Sequence, residues 1–347
     1  MNKILRRWYY LLFIYPLLIG CPSKKTDPAP EKQATAEEIM VAWAQEVDFS
    51  KITVSPGTWS YKDIIFNDGN AALLDNDNRI FFSYDNGLTW TERIKITSNT
   101  VQCVALKPDG EKIFVGGVSL GPYTFGAKFW VYNSPKNGTA NLDYTAEASL
   151  SQLNDPINHD FQRAVWNGDG SVYASFGRSS KTNGFFGNIT PDGRKIFIRR
   201  TPSFSRINDN TPTQAPSHCA GFYIKNNSEI TTLCTYEYIP SGMTNVLTPY
   251  QSGNKGFGNS WLNLSLYWKA DFVYHIGQDQ SGKHAVYVSQ ANRLFYDGKY
   301  LITHKNLLGE LQCASIDNNG YLWVGTSNGL YKATKKIPDL PKTVFDK

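Results

Sequence analysis

The sequence predicts an all-β chain arranged as a β-propeller, and three observations carry that reading. Beyond residue 50 the chain repeats itself at intervals of roughly 32 to 60 residues, the spacing of small β units set around a ring. Each copy joins a short apolar strand to a polar turn and then to a second strand of aromatic and β-branched residues. Aromatic residues make up 14% of the chain and glycine occurs 28 times, a composition suited to many short strands with tight turns. A lone meander leaves its edges open and one face half-buried. Setting several around an axis hides both.

The N-terminus reads as an export signal. Lys3, Arg6 and Arg7 form a basic start, and Trp8 to Ile19 is an apolar run of 12 residues. That run suits the apolar core of a signal peptide and falls short of the roughly 20 residues a spanning helix needs. It ends in Leu18-Ile19-Gly20-Cys21, which resembles the lipobox of bacterial lipoproteins. The resemblance implies removal of residues 1–20, acylation of the Cys21 sulfur and the lipid bilayer as a partner. Multiple acyl chains hold where a single chain is marginal. Pro22 to Glu38 has no aromatic or large aliphatic residue and holds three prolines. Such a stretch cannot bury enough surface to fold and reads as a tether. The residue after Cys21 is proline rather than the aspartate that resembles an inner-membrane retention signal, so outer-membrane placement, facing the periplasm or the cell surface, is expected. The expected organisation is therefore a signal peptide at 1–20, the lipidated cysteine and tether at 21–38, and a propeller domain at 39–347.

One short helix is expected at the start of the domain, about 36–47. Thr35 and Glu38 have capping-box spacing, and Ile39, Trp43 and Val47 follow four apart. The net charge of +5 is mild, without a lysine or arginine cluster, and gives no support to a nucleic-acid partner.

The repeats set the blade count. Copies begin near residues 70, 102, 162, 218, 274 and 312, with Asp75 aligned on Asp317. Six blades are expected. Seven is the alternative, because residues 191–197 mimic 108–114 inside a long gap. The stretch Ile52–Phe66 is expected to supply the missing outer strand of the last copy and close the ring.

Two segments resemble known families. Ser83, Asp85, Gly87, Thr89 and Trp90 match the Asp-box of sialidase-like BNR-repeat propellers at every defined position. The resemblance implies a structural hairpin at the outer part of a blade, away from the catalytic face: the aspartate caps a turn, the glycine permits it and the tryptophan packs. Residues 320–326 with Gly329, Leu330 and Tyr331 resemble propeller repeats of two-component sensor ectodomains. Both resemblances imply a fold, and neither fixes a function.

No catalytic residues are assigned. The arginine-isoleucine-proline signature of sialidases is absent, and Tyr236-Glu237 reads as alternating strand residues. Arg163, Arg178 and Arg199 form no recognisable triad. None of His159, His218, His275, His284 and His304 has zinc-protease spacing. Asp75-Asn76-Asp77-Asn78 begins like a calcium loop but has Ile80 at the sixth position and Asn86 at the twelfth. No metal and no cofactor is expected.

Cys103, Cys219 and Cys313 read as sharing one position of the repeat and as buried packing residues. Cys219 and Cys234 lie symmetrically about Asn226-Asn227, so a hairpin turning there sets them opposite one another as a candidate disulfide. The residues just before the repeated cysteine position are Asn70, Gln102, Gln162, His218, Tyr274 and Gln312. All are polar, and repeat symmetry makes them a candidate collar around the central channel. Two functions remain open. One is a non-catalytic, membrane-anchored propeller that binds an envelope protein or glycan, or scaffolds a complex. The other is a glycan hydrolase of sialidase-like type, for which a convergent carboxylate pair is the discriminating feature.

Overall fold

Burial alternates with period two as soon as the chain comes into view. In the computed structural model the described residues are 45–54, 60–97, 100–120, 125–134, 136–147, 160–167, 170–177, 185–189, 196–200, 204–205, 214–215, 217–225, 229–236, 246–252, 262–263, 273–289, 292–296, 300–304 and 306–337. The export signal, Cys21, the tether and residues 36–44 of the expected helix lie outside them. Val47 and Phe49 are buried while Asp48 and Ser50 are exposed. Residues 45–47 are accordingly strand β1 (Gln45–Val47), followed by β2 (Phe49–Ile52), and not the last turn of a helix. Val47 fits a spacing of four, but it also opens an alternation with Phe49. The open edges of two sheets supply the hydrogen bonds that favour the extended form.

Sheet I is β3 (Tyr61–Asn67), β4 (Asn70–Asp75), β5 (Arg79–Ser83) and β6 (Thr91–Lys95). Sheet II is β7 (Thr100–Leu106), β8 (Lys112–Leu120), β9 (Phe125–Asn133) and β10 (Asn141–Glu147). Sheet III is β11 (Asp160–Trp166), β12 (Val172–Gly177), β13 (Phe185–Ile189) and β14 (Ile196–Arg200), and a small pair follows, β15 (Phe204–Ser205) with β16 (Gln214–Ala215). Sheet IV is β17 (Ser217–Lys225), β18 (Glu229–Tyr236), β19 (Val246–Ser252) and β20 (Leu262–Asn263). Sheet V is β21 (Val273–Gln278), β22 (Ala285–Ser289), β23 (Leu294–Tyr296) and β24 (Tyr300–His304), with β1 added in parallel. Sheet VI is β25 (Leu311–Ile316), β26 (Tyr321–Thr326) and β27 (Gly329–Lys336), with β2 added antiparallel.

Each sheet is a meander whose first strand lies against the first strands of its neighbours. The order is β3, β7, β11, β17, β21, β25 and back to β3. This is the all-β propeller arrangement. Apolar side chains fill the wedges between sheets. Cys103 and Phe114 of sheet II pack on Phe161 and Ala174 of sheet III, and Trp323 of sheet VI packs on Phe66 of sheet I. Asparagines in the left-handed region tie the wedges shut. Asn78 (φ 58°) accepts from the Val101 N–H at 3.1 Å, and Asn292 (φ 57°) accepts from the Leu311 N–H at 2.7 Å.

Two expectations are corrected here. The strand that completes sheet VI is Phe49–Ile52, whereas Tyr61–Asn67 opens sheet I. Six of the seven residues of β3 are buried, which suits an inner strand and not an outer one. The alignment of the first copy falls one strand late: Asn70–Asp75 is the second strand of its sheet, and Asp317 corresponds to Asn67 rather than Asp75. Every hairpin of a meander shows the same strand, turn and strand pattern, so the pattern alone does not separate the first from the second. Of the segment 191–197, the described residues Ile196 and Phe197 belong to β14, the outer strand of sheet III.

Candidate functional site

The first hairpin of each sheet carries an irregularity at one position. The register shifts across Lys62, Gln102, Gln162, Ala220, Tyr274 and Gln312. A bulge of this kind re-aims the side chains beyond it. The next residues in the chain are Asp63, Cys103, Arg163, Gly221, His275 and Cys313. Large polar groups thus come from sheets I, III and V, and small residues stand between them on II, IV and VI.

Asp63 is the centre of this set. Its Oδ1 accepts from the Ile64 N–H at 2.9 Å, from Arg163 Nη1 at 3.1 Å and from His275 Nε2 at 2.9 Å. Its Oδ2 accepts from the Val104 N–H at 2.9 Å. Sheets III and V do not neighbour sheet I, so both side chains cross the interior of the ring to reach it. Asp63 and Arg163 are each 1% exposed and His275 is 6% exposed. The Ala314 N–H donates to His275 Nδ1 at 3.3 Å. That bond places the ring's own hydrogen on Nε2, facing Asp63, and makes the imidazole neutral. Burial holds the His275 pKa below its ordinary value, and although Asp63 pulls the other way it does not reverse the shift. Four donors thus meet the Asp63 carboxylate, three of them at Oδ1 and one at Oδ2. The Nε and Nη2 of Arg163 have no partner among the described residues. Burial also pushes the thiols of Cys103 and Cys313 well above the ordinary range, which leaves them unreactive.

Four residues further along each first strand the chain turns, and a cavity of about 180 Å³ opens there. Its walls include Ile65, Phe66, Val165, Trp166 and Ile224, with the amides of Asn67, Asn167 and Gln278 and the carboxylate of Asp279. Gln278 spans to the neighbouring strand, accepting from the Ile224 N–H at 3.1 Å. Asp279 is engaged by the His284 N–H at 3.2 Å and by Ser281 Oγ at 2.9 Å. Asn67 donates its amide to the Leu106 carbonyl at 2.9 Å. A second hollow of about 470 Å³ shares Asp279 and Gln280 with the first and runs outward between the β21–β22 and β25–β26 turns.

The residues matching the Asp-box lie between β5 and β6, on the same face as this cavity and not on the opposite one as expected, since the Asn86 N–H donates to the Gly69 carbonyl in the β3–β4 turn. Asp85 Oδ1 accepts from Ser83 Oγ at 2.7 Å and from the Thr89 N–H at 2.9 Å, and Oδ2 accepts from Thr89 Oγ1 at 2.6 Å. Burial raises the Asp85 carboxyl, but the bonds from Thr89 and Ser83 outweigh it and hold it below the ordinary range. Gly87 has φ of 86°, and a Cβ there would lie 2.7 Å from the Trp323 ring. Trp90 meets Phe66 and Trp323 edge-on, at 6.4 and 6.2 Å between centroids.

The expected collar divides. Gln102, Gln162, Tyr274 and Gln312 share the bulge position, and the matching residues on sheets I and IV are Lys62 and Ala220. Asn70 opens β4 instead and donates to the Pro108 carbonyl at 3.0 Å, clasping sheet I to sheet II. His218 stands two residues before its bulge. The side chains of Gln162, His218 and Tyr274 lie outside the described residues. Cys219 also precedes its bulge, so it is not the equivalent of Cys103 and Cys313. Its backbone pairs directly with Cys234 across β17 and β18, and both side chains lie outside the described residues. Arg199 sits on the outer strand β14, away from Arg163, and Arg178 and Glu237 lie outside the described residues. Asp75 caps its own turn, accepting from the Asp77 and Arg79 N–H groups at 2.9 and 2.8 Å. Among the described residues no group of three or more metal-binding side chains assembles.

Sequence reasoning missed Asp63, Arg163 and His275 as a set. The available signal was a charged or ionisable residue in the middle of an otherwise apolar inner strand, at one repeat position in three copies. The slip in the first copy hid it.

Arrangement and site together define a β-propeller with a closed polar hub. No protein-family profile and no curated protein matches the chain. Among solved structures it is similar to a Kuenenia stuttgartiensis hydrazine synthase, with a TM-score of 0.50 and 11% identity over 81% of this chain and 97% of that one. A Trypanosoma rangeli sialidase in complex with the inhibitor DANA gives 0.49 and 13%, over 84% of this chain and 57% of that one. The WD40 β-propeller domain of Doa1 gives 0.47 and 13%, over 84% and 99%. Identities this low bear on fold alone.

Proposed function

We propose that this chain is a lipid-anchored, non-catalytic propeller that binds a ligand at the cell envelope. The observation that carries it is the occupancy of Asp63: its oxygens meet four donors, two of them the side chains of Arg163 and His275. Retaining glycoside hydrolysis needs two carboxyl groups about 5–5.5 Å apart with one free to attack. The carboxylate at the hub is neither paired with a second nor free, and Asp279 at the cavity is held by its own turn.

The reading has six blades, supported by the cyclic order of β3, β7, β11, β17, β21 and β25. It takes Ser83, Asp85, Gly87, Thr89 and Trp90 as an Asp-box with a fold role, supported by the hydrogen bonds of Asp85. Anchoring rests on the basic start, the apolar run and the Leu18–Cys21 pattern, with residues 22–38 as the tether.

Two experiments test the reading. Mass spectrometry of the mature N-terminus should find an acylated Cys21, and an intact Met1 or an unmodified Cys21 overturns the anchor. Incubation with fluorogenic sialosides and neutral glycosides should release no product, and turnover abolished by Asp63→Asn overturns the non-catalytic reading.

A further inference from the structure

We propose that the cavity at the turn end of the first strands binds the terminal ring of a neutral oligosaccharide, with the next rings lying in the adjoining hollow. The proposal rests on the non-catalytic reading above and names its ligand class.

The starting point is Asn167. It is 4% exposed, lines the cavity, and its side-chain amide makes no hydrogen bond to any described residue. Its backbone alone serves the turn: its N–H donates to the Ser171 carbonyl at 2.8 Å and its carbonyl accepts from Gly170 at 3.0 Å. The amide lies at the wall of an open cavity, where it is available to a ligand that offers both a donor and an acceptor. Trp166 lines the same cavity, and its indole N–H has no partner among the described residues. Asn67 spends its amide hydrogen on Leu106 and retains carbonyl acceptor capacity.

The chemistry of the walls selects the ligand. Among the described residues no lysine or arginine lines the cavity, and the carboxylate they supply, Asp279, is already hydrogen-bonded. An anionic ligand would meet a like charge and no counter-charge. The donor and acceptor groups are amides, which pair with adjacent hydroxyls, and the remaining walls are apolar and aromatic. Alternating hydroxyl edges and C–H faces of a sugar ring match both. The volume of about 180 Å³ is below the roughly 300–1,000 Å³ of sites for drug-sized ligands, so it takes one ring. The hollow of about 470 Å³ begins at the shared residues Asp279 and Gln280 and gives the next rings a path outward.

The test is calorimetry on the mature full chain with cellotetraose, maltotetraose, laminaritetraose and chitotetraose, and with sialyllactose as the anionic comparison. At least one neutral tetrasaccharide should bind, more tightly than its disaccharide, and sialyllactose should not compete. Asn167→Leu should weaken binding about tenfold, the scale of one or two lost hydrogen bonds, with unchanged thermal unfolding. Gln280→Trp adds bulk at an exposed rim position and should block entry without burdening the fold. Binding to none of the four, or binding that survives both substitutions, overturns the site and leaves the non-catalytic reading standing. Shortened products in the binding mixture would instead overturn the non-catalytic reading while leaving the site in place.

Discussion

Asp63 Oδ1 lies 2.9 Å from His275 Nε2, a bond between residues 212 positions apart in the chain. It crosses the ring, and the opposite ring nitrogen, Nδ1, accepts from the Ala314 N–H only while the imidazole is neutral. The folded pKa of His275 lies below the ordinary 6.5. Below that pH the unfolded chain takes up a proton that the folded chain does not, so stability is full above about 6.5 and declines as the pH falls. The thermal midpoint should drop between pH 7 and 5. In His275→Gln, whose amide can serve both partners without titrating, that part of the slope should disappear. An unchanged slope would place the acid sensitivity elsewhere.

Asp63 and Arg163 form a buried pair, and removal of one partner leaves the other charge uncompensated. Asp63→Leu should cost about 3–5 kcal/mol in denaturant unfolding. Asp63→Leu combined with Arg163→Met should cost less than Asp63→Leu alone. Additive losses would show that the two residues are not coupled.

The turn centred on Asp85 predicts a loss of stability without a loss of binding. Asp85→Ala should cost about 1–2 kcal/mol, the scale of a lost cap. Gly87→Ala adds a left-handed residue, at roughly 1–2 kcal/mol, and drives a Cβ toward Trp323. It should therefore be the more damaging of the two. Equal losses would mean that the Trp323 contact yields freely.

How far the sequence speaks for itself varies along the chain. The period-two strands and the Asp- and Gly-rich turns make the meanders legible. Cys219 does pair with Cys234, but not by symmetry about Asn226-Asn227: Lys225 pairs with Glu229, so the turn centres on Asn227, and the bulge at Ala220 brings the two cysteines opposite each other. The hub is not legible. A bulge advances the alternation by one residue, and nothing in the composition of Lys62, Gln102 or Gln312 marks where that happens. The β3–β4 turn is only Asp68-Gly69, too brief to separate β3 from β4, so the first copy matches the repeat through its second hairpin. Residues 45–47 fit a helix in the sequence because three apolar residues at a spacing of four look alike whether they face a core or prolong a sheet edge.

The cysteines divide by chemistry. Cys103 and Cys313 are fully buried free thiols, raised by that burial, so iodoacetamide should leave both unmodified in the native protein and label both after unfolding. Non-reducing peptide mapping should recover Cys219 linked to Cys234. Free thiols at both would remove the disulfide and leave the register untouched.

The closure of the ring has a mechanical consequence. β1 joins sheet V, β2 joins sheet VI, and Asp48 between them accepts at its carbonyl from the Thr334 N–H at 2.9 Å and Oγ1 at 3.2 Å. A pull on the chain ahead of Gln45 reaches the three-residue ladder of β1 and β24 first, then the Asp48 clasp, and only then the strand that completes sheet VI. The segment works as a strain relief on a cable: its outermost grip can slip and re-form while the joint behind it stays closed. Single-molecule stretching from the N-terminus should show a small, reversible yield before the large rupture, and Val47→Asp should erase the small event alone.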